Sequence, residues 1–134
     1  MLAKGNVDAD APAGGVYVMP TLFGDVLRDR VLADEDVFGQ VPLLMIFEDE
    51  ADAIALANGT PYGLEARVWM RNTWRSIRFE RTVCCGQVFV NGYSAGDGIE
   101  LPFGGVKKSG RGREKGLEAL YVFRASKTIV MNHG

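Results

Sequence analysis

Histidine and cysteine are nearly missing from this chain. Its 134 residues contain one histidine, His133, next to the final residue, and two adjacent cysteines, Cys84 and Cys85. A Ser-His-Asp triad needs a histidine that is held in place, and a metal site needs several ligands at a suitable spacing. Adjacent strand residues point to opposite faces, so the two thiols suit the reduced state better than a disulfide. The sequence therefore excludes a histidine-based triad, a metal site and a disulfide scaffold.

Net charge is small, and long apolar runs are absent. The 15 basic and 17 acidic residues give a formal charge of -2, which supplies no electrostatic footprint for nucleic acid or an anionic membrane. No apolar run is long enough to span a bilayer, and residues 1–12 lack the basic start and apolar stretch of a signal peptide. We expect a cytoplasmic protein with neither a nucleic-acid nor a membrane partner.

What the chain does contain is apolar residues and glycine. The composition is 47% hydrophobic and 24% charged. The apolar residues are numerous enough to form the core of one domain or of part of one. Nine of the 17 glycines cluster between Gly86 and Gly116 and predict tight or unusual backbone there.

Hydrophobic patterning predicts strands that alternate with short helices. The apolar row over 41–47 favours a strand buried on both faces, although a buried helix has a similar pattern. Residues 1–15 form an irregular lead-in that starts no element, and a loop is expected near Phe38. The further predicted elements are a helix over 48–58, a strand over 64–70, a helix capped by Asn72, a strand over 87–91, a helix over 113–125 and a strand over 128–131.

This alternation predicts the α/β class, with parallel strands joined by right-handed crossovers. Three crossover strands make a thin sheet, and the apolar row over 41–47 needs cover on both faces. The chain is therefore expected to be a piece of something larger.

No complete active site follows from the residues alone. The GxxxxG spacing of Gly105–Gly110 lacks the following Lys-Ser/Thr of a P-loop, and Gly110–Lys115 has lysine in place of the third glycine of a dinucleotide fingerprint. No histidine lies near Cys84 or Cys85 to activate either as a nucleophile, so both are interpreted as buried structural thiols. The aromatic residues Trp69, Trp74 and Phe79 are likewise assigned to packing.

One stretch is far more specific. Asn91, the row PFGGVKKSG over 102–110, the row GRE over 112–114 and Gly116 together resemble the C-terminal signature of the aldehyde dehydrogenase superfamily. Four upstream landmarks of that family follow the same order: PTLF over 20–23, DEDVFGQV over 34–41, AN and PYGL over 57–64, and GQVFVN over 86–91. The resemblance extends from about Gly14 onward.

The resemblance implies that residues 1–125 are the C-terminal part of the family's catalytic domain, with a partial three-layer parallel sheet, and that residues 126–134 are an oligomerisation strand and tail. It implies NAD(P)-dependent oxidation of an aldehyde to an acid. The family's catalytic cysteine, its general-base glutamate and its main cofactor domain lie upstream of the matched region. Cys84 and Cys85 are therefore not the nucleophile, and the isolated chain is expected to be inactive and to bind neither NAD nor NADP.

Four residues inherit supporting roles by resemblance. Asp36 stands where the family usually has a glutamate that contacts the nicotinamide ribose, and Phe38 matches the aromatic beside that ribose. Gln40 replaces the usual proline of this loop. Phe103 resembles the aromatic at the aldehyde tunnel, and Glu114 an acidic residue near the water path. Packing anchors at the two aromatics and an ion pair at Glu114 remain the structural alternatives.

Two further implications concern substrate and partners. The loop over 92–101 resembles the segment that tunes substrate choice, and the run over 126–132 resembles a strand that pairs with a neighbouring subunit's sheet. An alternative interpretation is a non-catalytic association module that keeps the fold and the pairing strand.

Overall fold

The computed structural model describes residues 1–92 and 98–134. Within it the chain divides into two compact units, Met1–Thr60 and Pro61–Gly134. The predicted boundary after residue 125 lies elsewhere, because it separates a catalytic part from an oligomerisation strand. That boundary stays a prediction.

The first unit begins with a two-stranded antiparallel ribbon. Strand β1 (Ala3–Lys4) pairs with β2 (Thr21–Leu22), with Ala3 opposite Leu22. The expectation that residues 1–15 start no element is therefore wrong. The lead-in forms a strand because its backbone finds a partner 17 or more residues away, which local residue patterns do not reveal.

The apolar row over 41–47 is not the strand that its pattern predicts. It makes one parallel bridge, between Phe23 and Leu43, supported by hydrogen bonds from the Phe23 amide to the Pro42 carbonyl (3.1 Å) and from the Leu44 amide to the Phe23 carbonyl (2.8 Å). Pro42 has no N–H to donate. Pairing on one side alone leaves Ile46 77% and Phe47 54% exposed, so the two-sided burial expected of this row is not met.

The helices of the first unit are short. Helix α1 spans Val31–Asp34 and α2 spans Glu50–Gly59, which confirms the helix predicted over 48–58. α2 begins two residues later than predicted because Asp49 is its N-cap and accepts a hydrogen bond from the Asp52 amide at 2.9 Å. The loop predicted near Phe38 is confirmed.

The second unit contains a strand-helix-strand arrangement. Strands β3 (Glu65–Val68) and β4 (Gln87–Val90) pair in parallel, with Glu65 opposite Gln87, and helix α3 (Thr73–Thr82) connects them. The Asn72 side chain caps α3 by accepting from the Arg75 amide at 3.1 Å, as predicted. Val68, Phe79 and Val83 are the buried hydrophobic residues of the described chain, and they are contributed by β3, α3 and the end of α3.

The remainder of the second unit is a 3-10 turn (Lys107–Ser109) and helix α4 (Gly116–Val122), which is shorter than the helix predicted over 113–125. Residues 128–131, predicted as a strand, have no regular structure. A strand requires a backbone partner, and none of the described residues pairs with this run.

The α/β class is confirmed by these short parallel and antiparallel sheets. The parallel pair has two strands where three crossover strands were expected. Two packing assignments are also wrong: Trp69 is 66% and Trp74 is 74% exposed, whereas Phe79 is buried. Trp74 is exposed on α3, and Trp69 directly follows the last residue of β3.

Candidate functional site

The loop that carries the two predicted ribose contacts is a tight turn. Phe38 has a positive φ of 42°, and its amide donates a hydrogen bond to the Asp36 carboxylate at 3.1 Å. Aspartate favours such turns because its short side chain reaches the backbone two residues further on. The aspartate that replaces the family's usual glutamate thus also holds its own loop in shape.

An open cleft of about 560 Å³ lies at this loop. It is lined by residues 35–41 together with Leu32 and Leu43. The ring of Phe38 is 94% exposed, and the Asp36 carboxylate is exposed as well. An exposed carboxylate can accept hydrogen bonds from the two hydroxyls of a ribose, and an exposed ring can pack against a sugar. The chemistry of both residues therefore fits a nicotinamide ribose.

Phe103 and Glu114, the two other predicted site residues, are brought together by the backbone. The Phe103 amide donates to the Glu114 carbonyl at 2.6 Å, and the Glu114 amide donates to the Phe103 carbonyl at 2.7 Å. This reciprocal pair forms an isolated antiparallel bridge across the glycine-rich segment. The ion pair considered for Glu114 is not among the ion pairs of the described residues.

A small cavity of about 310 Å³ adjoins this bridge. Phe103, Glu114 and Arg113 line it from the glycine-rich segment, and Leu64 and Phe123 from the flanking segments. The Lys115 ammonium lies 5.9 Å from the centre of the Phe103 ring. Phe103 thus combines a fixed backbone with a partly exposed ring beside a cavity.

The signature motifs converge at one place in the second unit. The Gly63 amide donates to Ser109 Oγ at 3.1 Å, and the Val106 amide donates to the Gly63 carbonyl at 2.9 Å. Gln87 Nε2 donates to the Pro102 carbonyl at 3.0 Å. The three rows recognised in the sequence, PYGL, GQVFVN and PFGGVKKSG, are therefore bound to one another by hydrogen bonds.

Arg113 braces this segment, a role that the sequence did not suggest. Its Nη1 donates to the carbonyls of Gly105 at 2.7 Å and Gly112 at 2.9 Å. A guanidinium carries several donors in a fixed fork and can hold two stretches of backbone at once. The row GRE was recognised as part of the signature, but its arginine acts on carbonyls that have no distinctive sequence pattern.

Neither cysteine is a fully buried thiol, so that prediction is wrong. Both are free; Cys84 is exposed and Cys85 half-buried. The Cys85 thiol donates to the Gln87 carbonyl at 3.1 Å, and its partial burial raises its pKa. A raised pKa lowers the thiolate fraction at neutral pH, which disfavours Cys85 as a nucleophile.

The described part of the chain contains neither a cluster of metal ligands nor a membrane-spanning helix. No group of three or more histidine, cysteine, aspartate or glutamate residues there is arranged to hold a metal ion. No helix there combines the length and apolar character that crossing a bilayer requires. In the loop over 92–101, residues 93–97 lie outside the described residues, so its role in substrate choice remains a prediction.

Comparisons with known proteins agree with the signature. Residues 1–129 match the model of the aldehyde dehydrogenase family. The chain is 43% identical over 129 residues to the NADP/NAD-dependent aldehyde dehydrogenase PuuC of Escherichia coli K12, covering 95% of this chain and 26% of that protein. It is 35% identical over its full length to a betaine aldehyde dehydrogenase of Rhizobium leguminosarum, of which it covers 27%.

Solved structures of aldehyde dehydrogenases are also similar to this chain. A Burkholderia cenocepacia protein assigned to the aldehyde dehydrogenases has a TM-score of 0.88 and 57% identity, covering 98% of this chain and 28% of that one. An aldehyde dehydrogenase of Mycobacterium tuberculosis in complex with NAD+ has a TM-score of 0.79 and 34% identity, with 91% and 25% coverage. The chain thus spans about a quarter of the length of the relatives it matches.

Proposed function

This chain belongs to the aldehyde dehydrogenase family, and we propose that it is the C-terminal part of the catalytic domain of an NAD(P)-dependent enzyme that oxidises an aldehyde to a carboxylic acid. The observation that carries the proposal is the reciprocal backbone pair between Phe103 and Glu114. This pair places the two residues matched to the tunnel and the water path at the same cavity.

In this proposal the cofactor contact is made by the turn at Asp36. The carboxylate accepts hydrogen bonds from ribose hydroxyls, and Phe38 packs beside the sugar. The bound nicotinamide supplies the acceptor for the hydride that leaves the substrate. Support comes from the exposure of both side chains at one cleft and from the names of the relatives, of which PuuC is NADP/NAD-dependent and the Mycobacterium enzyme was solved with NAD+.

The remaining chemistry is assigned outside these 134 residues. In the family a cysteine attacks the aldehyde and a glutamate activates the hydrolytic water. Neither Cys84 nor Cys85 stands at the family's nucleophile position, and the raised pKa of Cys85 is unsuited to the role. We therefore propose that the isolated chain neither oxidises aldehydes nor binds NAD or NADP appreciably.

A chimera with PuuC tests the proposal directly. The 129 matched residues of this chain replace the corresponding segment of PuuC, and aldehyde-dependent NADH formation is measured by absorbance. We expect an active chimera in which Asp36→Ala raises the KM for NAD about tenfold, because a hydrogen-bonded pair of hydroxyls loses its acceptor. Asp34→Ala, two residues earlier and also exposed, is the matched control and leaves the KM within about twofold.

A second experiment tests the isolated chain. Calorimetric titration of NAD into the 134-residue protein is expected to give no heat of binding. Micromolar binding, or steady NADH production by the isolated chain, would show a cofactor site or a nucleophile that the proposal lacks. A correctly folded chimera without activity would contradict the assignment of this segment to the catalytic domain.

We also propose that the chain self-associates through residues 126–132. The run over 126–132 is exposed along its length, and Ile129, Val130 and Met131 are 71%, 78% and 74% exposed. Consecutive exposed apolar residues with unpaired backbone suit the addition of a strand to another subunit's sheet. This observation also favours the alternative of a non-catalytic association module. The cytoplasmic location stays a prediction from the sequence.

A further inference from the structure

The small net charge of the chain conceals two oppositely charged parts. Residues 61–134 contain 12 basic and six acidic residues, a formal net charge of +6, although the whole chain has a charge of -2. The sum over the whole chain therefore hides a strongly basic unit. Long-range attraction of an anionic partner depends on the local distribution of charge, so the second unit has to be judged by itself.

Much of this positive charge lies along helix α3. Arg75, Arg78 and Arg81 are exposed and recur every three residues, which places them along one side of the helix, and the exposed Arg71 directly precedes the N-cap Asn72. The opposite side faces the protein core through Ser76, Phe79 and Val83. We call the exposed arginines together with Trp74 the basic stripe.

Trp74 gives the basic stripe a second property. It lies one helical turn before Arg78 and is 74% exposed, although tryptophan is normally well buried. Glu80, the acidic residue of the helix, lies outside the stripe by its spacing. A large, exposed aromatic face flanked by arginines is the combination that binds successive bases and phosphates of a single-stranded nucleic acid.

We propose that the basic stripe of α3 binds single-stranded nucleic acid, with a base stacked on Trp74 and with phosphates contacted by Arg78 and Arg81. The helix has 10 residues and is therefore about 15 Å long, which suits a contact with two or three nucleotides. A duplex keeps its bases stacked on one another and offers no free base face to Trp74. A membrane is disfavoured because the apolar side of α3 is already packed against the core and cannot insert.

The test uses the 134-residue chain and a fluorescein-labelled 12-nucleotide oligothymidine, with binding followed by fluorescence anisotropy at several salt concentrations. We expect Trp74→Ala to weaken binding about tenfold and Trp74→Phe to retain most of the affinity, because phenylalanine keeps an aromatic face. Replacing Arg78 and Arg81 by glutamine is expected to reduce the slope of log affinity against log salt by about 1.4, or about 0.7 for each phosphate contact.

A charge-matched control separates the stripe from general attraction. The double variant Arg124→Gln, Lys127→Gln removes the same charge from exposed residues that follow helix α4 in the same unit, and it is expected to leave the salt slope unchanged. Circular dichroism checks that all variants keep their helix content. Equal losses in the control, unchanged affinity in Trp74→Ala, equally tight binding to a 12-base-pair duplex, binding to phosphatidylserine vesicles that survives Trp74→Ala, or no binding at all would each overturn the proposal.

Discussion

At the scale of single residues, Asp52 forms a cluster of polar contacts in the first unit. Its carboxylate accepts hydrogen bonds from both terminal nitrogens of Arg28, at 2.6 and 2.7 Å, and from the Glu48 amide at 3.0 Å. The hydrogen bond with Arg28 is the largest of the contributions that lower the pKa of Asp52 to about 2. The bidentate pair ties the segment before α1 to the first turn of α2.

This lowered pKa predicts a loss of stability in acid. A carboxylate whose pKa is lower in the folded state contributes stability above its unfolded value, here 3.8, and that contribution disappears as the pH falls toward 2. We expect Asp52→Asn to lower the urea midpoint of unfolding at pH 7 and to reduce the difference between pH 5 and pH 2.5. Asp29→Asn is the control, because its ion pair with Arg30 is long, at 3.8 Å, and largely exposed. Equal pH dependence in wild type and Asp52→Asn would contradict this role.

The site residues illustrate what the sequence can and cannot predict at this scale. Asp36, Phe38, Phe103 and Glu114 could be named because each stands in a recognisable row of residues. Their geometry could not be predicted, because the turn at Asp36 depends on a positive φ at Phe38. The bracing by Arg113 depends on carbonyl groups that every residue carries, so no side-chain pattern reveals it.

At the scale of secondary structure, local signals predicted the elements that are stabilised locally. In helices α2 and α3 the N-cap residues, Asp49 and Asn72, directly precede the first turn in the sequence. The row over 41–47 was predicted wrongly, because a strand depends on partners that lie elsewhere in the chain. Strands β3 and β4 were predicted correctly, because each lies in a short, mainly apolar run that directly follows chain-breaking residues.

Close approach of backbone at the signature segment leaves no room for a side chain at Gly86. A Cβ built on Gly86 would overlap the carbonyl oxygen of Gly104, whereas a Cβ on Gly112 has nothing within 4 Å. We expect Gly86→Ala to destabilise the fold by about 1–3 kcal/mol through the forced shift of the loop. Gly112→Ala, in the same segment, is expected to stay within about 0.5 kcal/mol. Denaturant unfolding of both variants measures the difference, and similar midpoints would contradict the predicted clash.

At the scale of the whole molecule, little of the apolar surface is buried. Val68, Phe79 and Val83 are the buried hydrophobic residues of the described chain, whereas Ile46, Leu117 and Phe123 are between 74% and 83% exposed. Exposed apolar surface of this extent indicates interaction with further protein. The sequence predicted this outcome in general terms, because the row over 41–47 lacked cover, but it could not identify which surfaces stay open.

The proposed self-association of the chain depends on its C-terminal residues. We expect deletion of residues 126–134 to abolish self-association of the chain, because Ile129–Met131 offers both apolar side chains and unpaired backbone. Size-exclusion chromatography with light scattering measures the change in mass. Removal of residues 1–2, which are exposed and apolar but lie at the other end, is the control. An unchanged mass after the C-terminal deletion would rule out this run as the contact.

The reciprocal pair between Phe103 and Glu114 has a consequence for enzyme engineering. Both hydrogen bonds join main-chain atoms, so we expect the loop to keep its path with any residue at position 103 except proline, which has no N–H to donate. A saturation library at this one codon should therefore vary the shape of the proposed tunnel without displacing the acidic residue across from it. Directed evolution of aldehyde preference would then have a starting position at which altered selectivity carries little penalty in yield of folded protein.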